Sequence, residues 1–111
     1  MILTVRDVEG FVVVTAEGRL DTGTSADLEG ECAGRIQAGA CRMVLDLSRL
    51  EYVSSAGLRV MLALAKRLQA AGGELSLCAA TGLVKETLEI AGIGSIVAVH
   101  PTLDAAMGQE S

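Results

Sequence analysis

The sequence predicts an α/β domain built around a mixed sheet, with elements in the order ββαβαβαβα. Short β-branched or unbroken apolar runs alternate along the chain with stretches of helical spacing, a pattern that argues for strands layered against helices. The 111 residues fit a single domain, 1–111, since domains commonly run to roughly 100–150 residues. Half of the residues are hydrophobic but only 2% are aromatic, so the core has to be assembled from Leu, Val, Ile, Ala and Met. A chain of this size buries about two thirds of its unfolded surface and folds without staples.

The opening ILTVRDVEGFVVVTAEG reads as two strands joined by a tight turn at Asp7 to Gly10. The second is the richer in β-branched residues, with Val12, Val13, Val14 and Thr15, and Gly18 closes it. Thr24 or Ser25 then caps a helix running to about Ala38, with Asp27 and Glu29 in the first turn, where the helix dipole favours negative charge. Its inward stripe of Leu28, Cys32, Arg35 and Ile36 is weak, and Gly30 and Gly34 interrupt it. Arg42 to Leu47 is a continuous apolar strand of the kind buried on both faces. A strand-like EYV run leads into a second helix, Gly72-Gly73 stops that helix, and ELSLCAA follows as a strand. A third helix is capped at Thr81, carries Leu83, Val84, Leu88 and Ile90 or Ala91 at helical spacing, and ends at Gly92. SIVAVHP is a short strand, and TLDAAMGQES a last, fraying helix.

Charge and composition exclude several functions. Net charge is −5, and the single Tyr and single Phe offer few rings for stacking, so no nucleic-acid partner is expected. The longest basic cluster is Lys66-Arg67, too short for polybasic membrane attachment. No apolar run reaches the ~18 residues a spanning helix needs, and no direct membrane insertion is expected. The start MILTVRDVEG lacks the charged and then apolar regions of a signal peptide. The cysteines Cys32, Cys41 and Cys78 are odd in number, form no CxxC and have only His100 for company, so neither a metal site nor a cofactor is expected. Cys78 reads as a small buried hydrophobe, and His100 as a loop residue. A cytoplasmic, reducing home fits these features. A Gly-x-Ser-x-Gly elbow would need glycine at Val53, so a hydrolase is not expected.

The junction VSSAGLRVMLALAK holds the functional interest. Ser54 and Ser55 stand where a strand gives way to a helix beginning about Ala56, at the carboxyl end of the strand, where open α/β sheets place functional loops. One serine oxygen can cap the helix by accepting from the amide of Leu58 or Arg59, worth about 1 kcal/mol. The helix is apolar at Leu58, Val60, Met61, Leu62, Ala63, Leu64 and Ala65, more of its circumference than a single sheet face can use. Exposed apolar surface of that kind marks a partner site. A phosphoryl group on a helix-opening serine would bring about −1.5 to −2 charges to the positive end of the dipole. The helix would accommodate it, while a partner docking on the apolar side would meet new charge at the rim.

The segment MVLDLSRLEYVSSAGLRVMLALAKRLQAAGGELSLCAATGLVKETLEIAGI resembles the central stretch of the STAS-domain anti-sigma factor antagonists of bacteria. Upstream, AEGRLDTGTSADL resembles the Gly-x-Leu-Asp segment before that family's first helix, so the likeness covers about residues 3–107. It implies a STAS domain with helices packed mainly on one face of the sheet, and a protein that is not an enzyme. It also implies an anti-sigma factor partner that is an ATP-dependent serine kinase; ATP belongs to that partner, and binding frees a sigma factor. The kinase inactivates the antagonist by phosphorylating a serine at the start of the second helix, and a metal-dependent serine phosphatase restores it. The family's Asp-Ser-Ser/Thr-Gly-Leu motif falls on Ser54, Ser55, Ala56, Gly57 and Leu58, which makes Ser55 the acceptor and Ser54, in the acidic position, its rival. The partner-binding set is then Asp21, Thr22, Ser54, Gly57, Leu58, Arg59, Val60 and Leu62, with Asp46 supporting the site from a strand end. Asp21 in LDTGT is also good turn chemistry on its own. Two other uses of the chain stay open. One is a regulatory subunit of a membrane transport ATPase, which copurification with that ATPase would favour. The other is a small-ligand or nucleotide sensor, for which no basic or aromatic pocket residues are evident.

Overall fold

In the computed structural model, which describes residues 1–108, the chain forms six strands and four α-helices. A hairpin opens it: β1 (Ile2–Val8) pairs antiparallel with β2 (Phe11–Leu20) through the two residues Glu9 and Gly10. Both have positive φ, 50° and 86°, the twist that a two-residue hairpin loop requires. The remaining elements are α1 (Ser25–Gln37), β3 (Arg42–Asp46), β4 (Leu50–Val53), α2 (Ser55–Ala70), β5 (Glu74–Cys78), α3 (Gly82–Ile90), β6 (Ala98–His100) and α4 (Leu103–Ala106). The expected order recurs, with one further short strand, β4, between β3 and α2. Of the last predicted helix, residues 109–111 lie outside the described residues.

The strands run β1-β2-β3-β5-β6, and β4 pairs with the far end of β2. Only the hairpin is antiparallel; β2, β3, β5 and β6 are parallel neighbours, and β4 is parallel to β2, so the sheet is mixed. Alternation along the strands builds two cores. Val14, Ala16, Met43, Leu45, Leu75 and Leu77 face α1, α2 and α3, meeting Leu28, Cys32, Met61, Leu64, Leu68, Val84 and Leu88. Val13, Val44 and Cys78 face the other way and are covered by Leu103, Ala106 and Met107 at α4. Helices therefore sit mainly on one face, with α4 alone on the reverse.

Four local expectations are corrected. Gly18 does not end β2: at φ 109° it lets the strand continue to Leu20, where β4 takes over as partner. Arg35 of α1 is exposed and pairs with Glu31 at 3.4 Å, leaving Leu28 and Cys32 as the buried stripe. On α3, Val84 and Leu88 are buried, whereas Leu83 is 55% and Ile90 88% exposed, because they lie on the outer side of a short helix. His100 is not in a loop: it ends β6, and its carbonyl accepts from the Ala79 amide at 3.1 Å. The Gly72-Gly73 stop is where it was expected. Gly73 lies against the chain entering β3, and a Cβ there would stand 1.7 Å from the Cys41 carbonyl oxygen.

All three thiols are free, but only Cys41 is exposed. Burial, with Glu31 nearby, pushes the Cys32 thiol up to about 12. Burial and the Asp46 carboxylate do the same to Cys78. A chromogenic disulfide reagent at about pH 8 should therefore react promptly with one thiol in the native protein and with all three after denaturation. Prompt reaction of a second native thiol would contradict this burial.

Candidate functional site

The serine junction is held by the strand pair beneath it. β4 meets β2 with an irregular register: Gly18 opposes Leu50, Arg19 opposes Tyr52 and Leu20 opposes Val53, so Glu51 is an extra residue. Such a bulge re-aims the residues after it. Here it keeps both Leu50 and Val53 in the core and presents the Ser54 amide to the Leu20 carbonyl, 2.8 Å away. Ser54 itself is extended, with φ −93° and ψ 174°, and its Oγ accepts from the Gly57 amide at 3.2 Å. It is the N-cap, worth about 1 kcal/mol. The helix thus starts at Ser55 rather than Ala56, and the capped amide is that of Gly57 rather than Leu58 or Arg59. The Leu58 amide makes the first helical rung, to the Ser54 carbonyl at 2.9 Å. Ser55 is exposed, and its Oγ makes no hydrogen bond among the described residues.

The apolar girth of α2 has a packing explanation. The helix packs against both α1 and the sheet, so Gly57, Val60, Met61, Leu64, Ala65 and Leu68 are all buried. Two expected surface residues are therefore core. Val60 is 8% exposed, and Gly57 is a close-approach position where a Cβ would meet Leu20 and Val53 at 2.8–2.9 Å. The accessible strip is narrower than the sequence suggested: Ser55 and Arg59 are exposed, and Leu58 and Leu62 are half-buried.

Across the junction, the loop after β2 is wound on Asp21. Its Oδ1 accepts from the amides of Gly23, at 2.9 Å, and Thr24, at 3.1 Å. The Thr24 hydroxyl accepts from the Asp21 amide at 3.0 Å and donates to the Arg19 carbonyl at 2.7 Å. Thr24 holds the cap position of α1 but makes no side-chain capping bond; the Asp21 carboxylate serves the two amides just ahead of the helix, and the Asp21 carbonyl accepts from the Ser25 amide at 2.9 Å. Burial alone would raise the Asp21 carboxyl, but the Thr24 and Gly23 donors and nearby Arg19 outweigh it and hold the group below its ordinary range. Asp21 is thus the turn former, and Thr22 is exposed on the turn it makes. The Leu20 carbonyl that binds Ser54 brings this loop and the serines side by side. Asp46 plays a different part: its carboxylate accepts from the Ser48 amide at 3.0 Å and shapes the turn between β3 and β4.

Sequence reasoning missed one feature here. The Arg19 guanidinium lies 4.3 Å from the centroid of the Tyr52 ring, a contact made only because β2 and β4 are neighbours. No group of three or more His, Cys, Asp or Glu among the described residues is arranged to hold a metal. A concavity of about 660 Å³ lies elsewhere, between α3 and β6, and its lining includes Lys85, Leu88, Val99 and His100. Basic residues do therefore line a pocket, contrary to expectation, but not at the serines.

A family description, STAS domain, matches residues 3–106. The chain belongs to the STAS domain family. This STAS domain is 42% identical over 106 residues to BtrV of Bordetella bronchiseptica, which bears the name of an anti-sigma factor antagonist; the match covers 96% of this chain and 91% of BtrV. An anti-sigma factor antagonist from Mycobacterium paratuberculosis has the same fold, with TM-score 0.88, 26% identity, and 96% and 91% of the two chains covered. The anti-sigma factor antagonist SpoIIAA in its unphosphorylated form superposes with TM-score 0.82 at 21% identity, over 97% of this chain and 95% of that one. SpoIIAA of Bacillus in its phosphorylated form gives 0.74 at 19%, over 97% and 98%. Among the described residues no helix is long and apolar enough to cross a membrane.

Proposed function

We propose that this STAS domain is a non-enzymatic, cytoplasmic anti-sigma factor antagonist whose partner is an anti-sigma factor with serine kinase activity, and that Ser55 is its phosphorylation switch. One observation carries the choice of residue: the Ser54 hydroxyl is engaged as the helix cap, whereas the Ser55 hydroxyl is exposed and unbonded. A kinase needs a hydroxyl it can reach and align, and only the second offers that. The docking strip is Leu58, Arg59 and Leu62 on α2, with Asp21 and Thr22 across the junction. Names among the relatives support the antagonist role, BtrV first, and SpoIIAA exists in both unphosphorylated and phosphorylated forms. The unmodified form binds the anti-sigma factor and frees the sigma factor; phosphate at the strip's edge abolishes binding, and a metal-dependent serine phosphatase resets it.

Incubation with the candidate kinase and ATP, followed by mass-spectrometric mapping, tests the assignment. A single phosphate is expected on Ser55, absent from Ser55→Ala and retained by Ser54→Ala, which loses only the cap. Phosphate that persists in Ser55→Ala would overturn it.

A further inference from the structure

This chain has one tyrosine, and it lies at the switch. Tyr52 is the penultimate residue of β4, with Val53 and the two serines directly after it. Its ring is half-buried and covered by Arg19, whose guanidinium is exposed to solvent on the other side. A cross-strand stack can be mere packing. Three observations point further. Arg19 has no carboxylate within ion-pair distance among the described residues, where Arg35–Glu31 is the pair formed. The ring contact holds the guanidinium in place while its N–H groups make no hydrogen bond among the described residues, so a carboxylate can be taken with little further loss of side-chain freedom. Finally, the Arg19 backbone is tied to both halves of the site: its carbonyl holds the Thr24 hydroxyl at 2.7 Å, and Leu20 beside it holds the Ser54 amide at 2.8 Å.

We infer that Arg19, stacked on Tyr52, is a specificity-determining residue of the docking surface and receives an Asp or Glu side chain of the anti-sigma factor. The assignment rests on the antagonist reading above. Arg and Tyr are the residue types that most often dominate interfaces, and a preorganised cation beside an apolar strip discriminates among partners that share the same apolar contact. The serine side of the junction supplies the on-off control, and the arginine side supplies the choice of partner.

The test is the dissociation constant of the unphosphorylated protein for the anti-sigma factor, measured across a salt series. Arg19→Gln should weaken binding roughly 10- to 100-fold and flatten the dependence of affinity on salt. Arg19→Lys should recover only part of the loss, because a point charge does not reproduce the fork. Tyr52→Phe keeps the ring face and should bind like the wild type, as should Arg67→Gln at the exposed far end of α2. Thermal melts confirm that each variant is folded; a purely structural stack would shift the melting temperature without changing the salt slope. Wild-type affinity and salt slope in Arg19→Gln overturn the inference alone. If the wild type binds no anti-sigma factor, the antagonist reading falls and this inference falls with it.

Discussion

Ser55→Asp should bind the anti-sigma factor at least ~100-fold more weakly than the wild type while melting at the same temperature or slightly above it. The two halves of this result come from the same position. As the first residue of α2, Ser55 faces the positive end of the helix dipole, where a carboxylate stabilises by about 0.3–1 kcal/mol. Toward a docked partner the same charge is desolvated beside Leu58 and Leu62, and unpaired or like charge in such a place costs several kcal/mol. Folding and binding therefore respond with opposite sign to one added charge. A phosphoryl group, with about −1.5 to −2 charges, should act more strongly than the single charge of Asp. Ser55→Ala should bind like the wild type, since the hydroxyl makes no bond among the described residues. Calorimetric titration with parallel thermal melts measures both. Undiminished affinity in Ser55→Asp would remove the switch from this position.

Gly73→Ala should be the most damaging single-methyl change in the chain, destabilising by about 3 kcal/mol or more. Overpacking a core commonly costs about 1–3 kcal/mol because neighbouring side chains move aside. At Gly73 the obstacle is not a side chain. The new Cβ would stand 1.7 Å from the Cys41 carbonyl oxygen and 2.5 Å from its carbon, so the backbone itself has to shift. That carbonyl accepts from the Glu74 amide at 2.8 Å, and the Gly73 amide donates to Leu68 at 2.8 Å. Movement of either segment therefore loosens the entry of β3 or the end of α2. Gly57 differs, because its close neighbours Leu20 and Val53 approach with side chains that can turn. Denaturant unfolding followed by circular dichroism gives the number; a loss below about 1 kcal/mol would mean that the two segments do not meet as closely as described.

Much of this architecture was legible because burial on both faces leaves unbroken apolar runs. Met43-Val44-Leu45 announced a strand buried on both faces, and the Gly-Leu pair at 57–58 fixed where the second helix starts to within a residue. β4 was harder to see. Its bulge at Glu51 breaks the period of two, so Leu50 and Val53 share a face at a spacing no regular strand has. The apolar wheel of α2 was misread for a related reason. One sequence cannot say how many neighbours a helix has, and burial against α1 as well as the sheet consumes the side on which Val60 lies. Arg19 and Tyr52 were invisible as a pair because only the folded sheet brings their strands together. Asp21 showed its turn chemistry plainly, but not that its carboxylate would serve the amides ahead of α1.

The unbonded hydroxyl of Ser55 has a consequence in time. The contacts that fix the junction run through Ser54, Leu20 and Gly57, so derivatising Ser55 breaks none of them. A mark that leaves its bearer intact does not shorten the bearer's life, and both forms should persist equally long in the cell. How long the signal lasts would then depend on the enzyme that erases it, and the protein would keep a record of past kinase activity until that enzyme arrives.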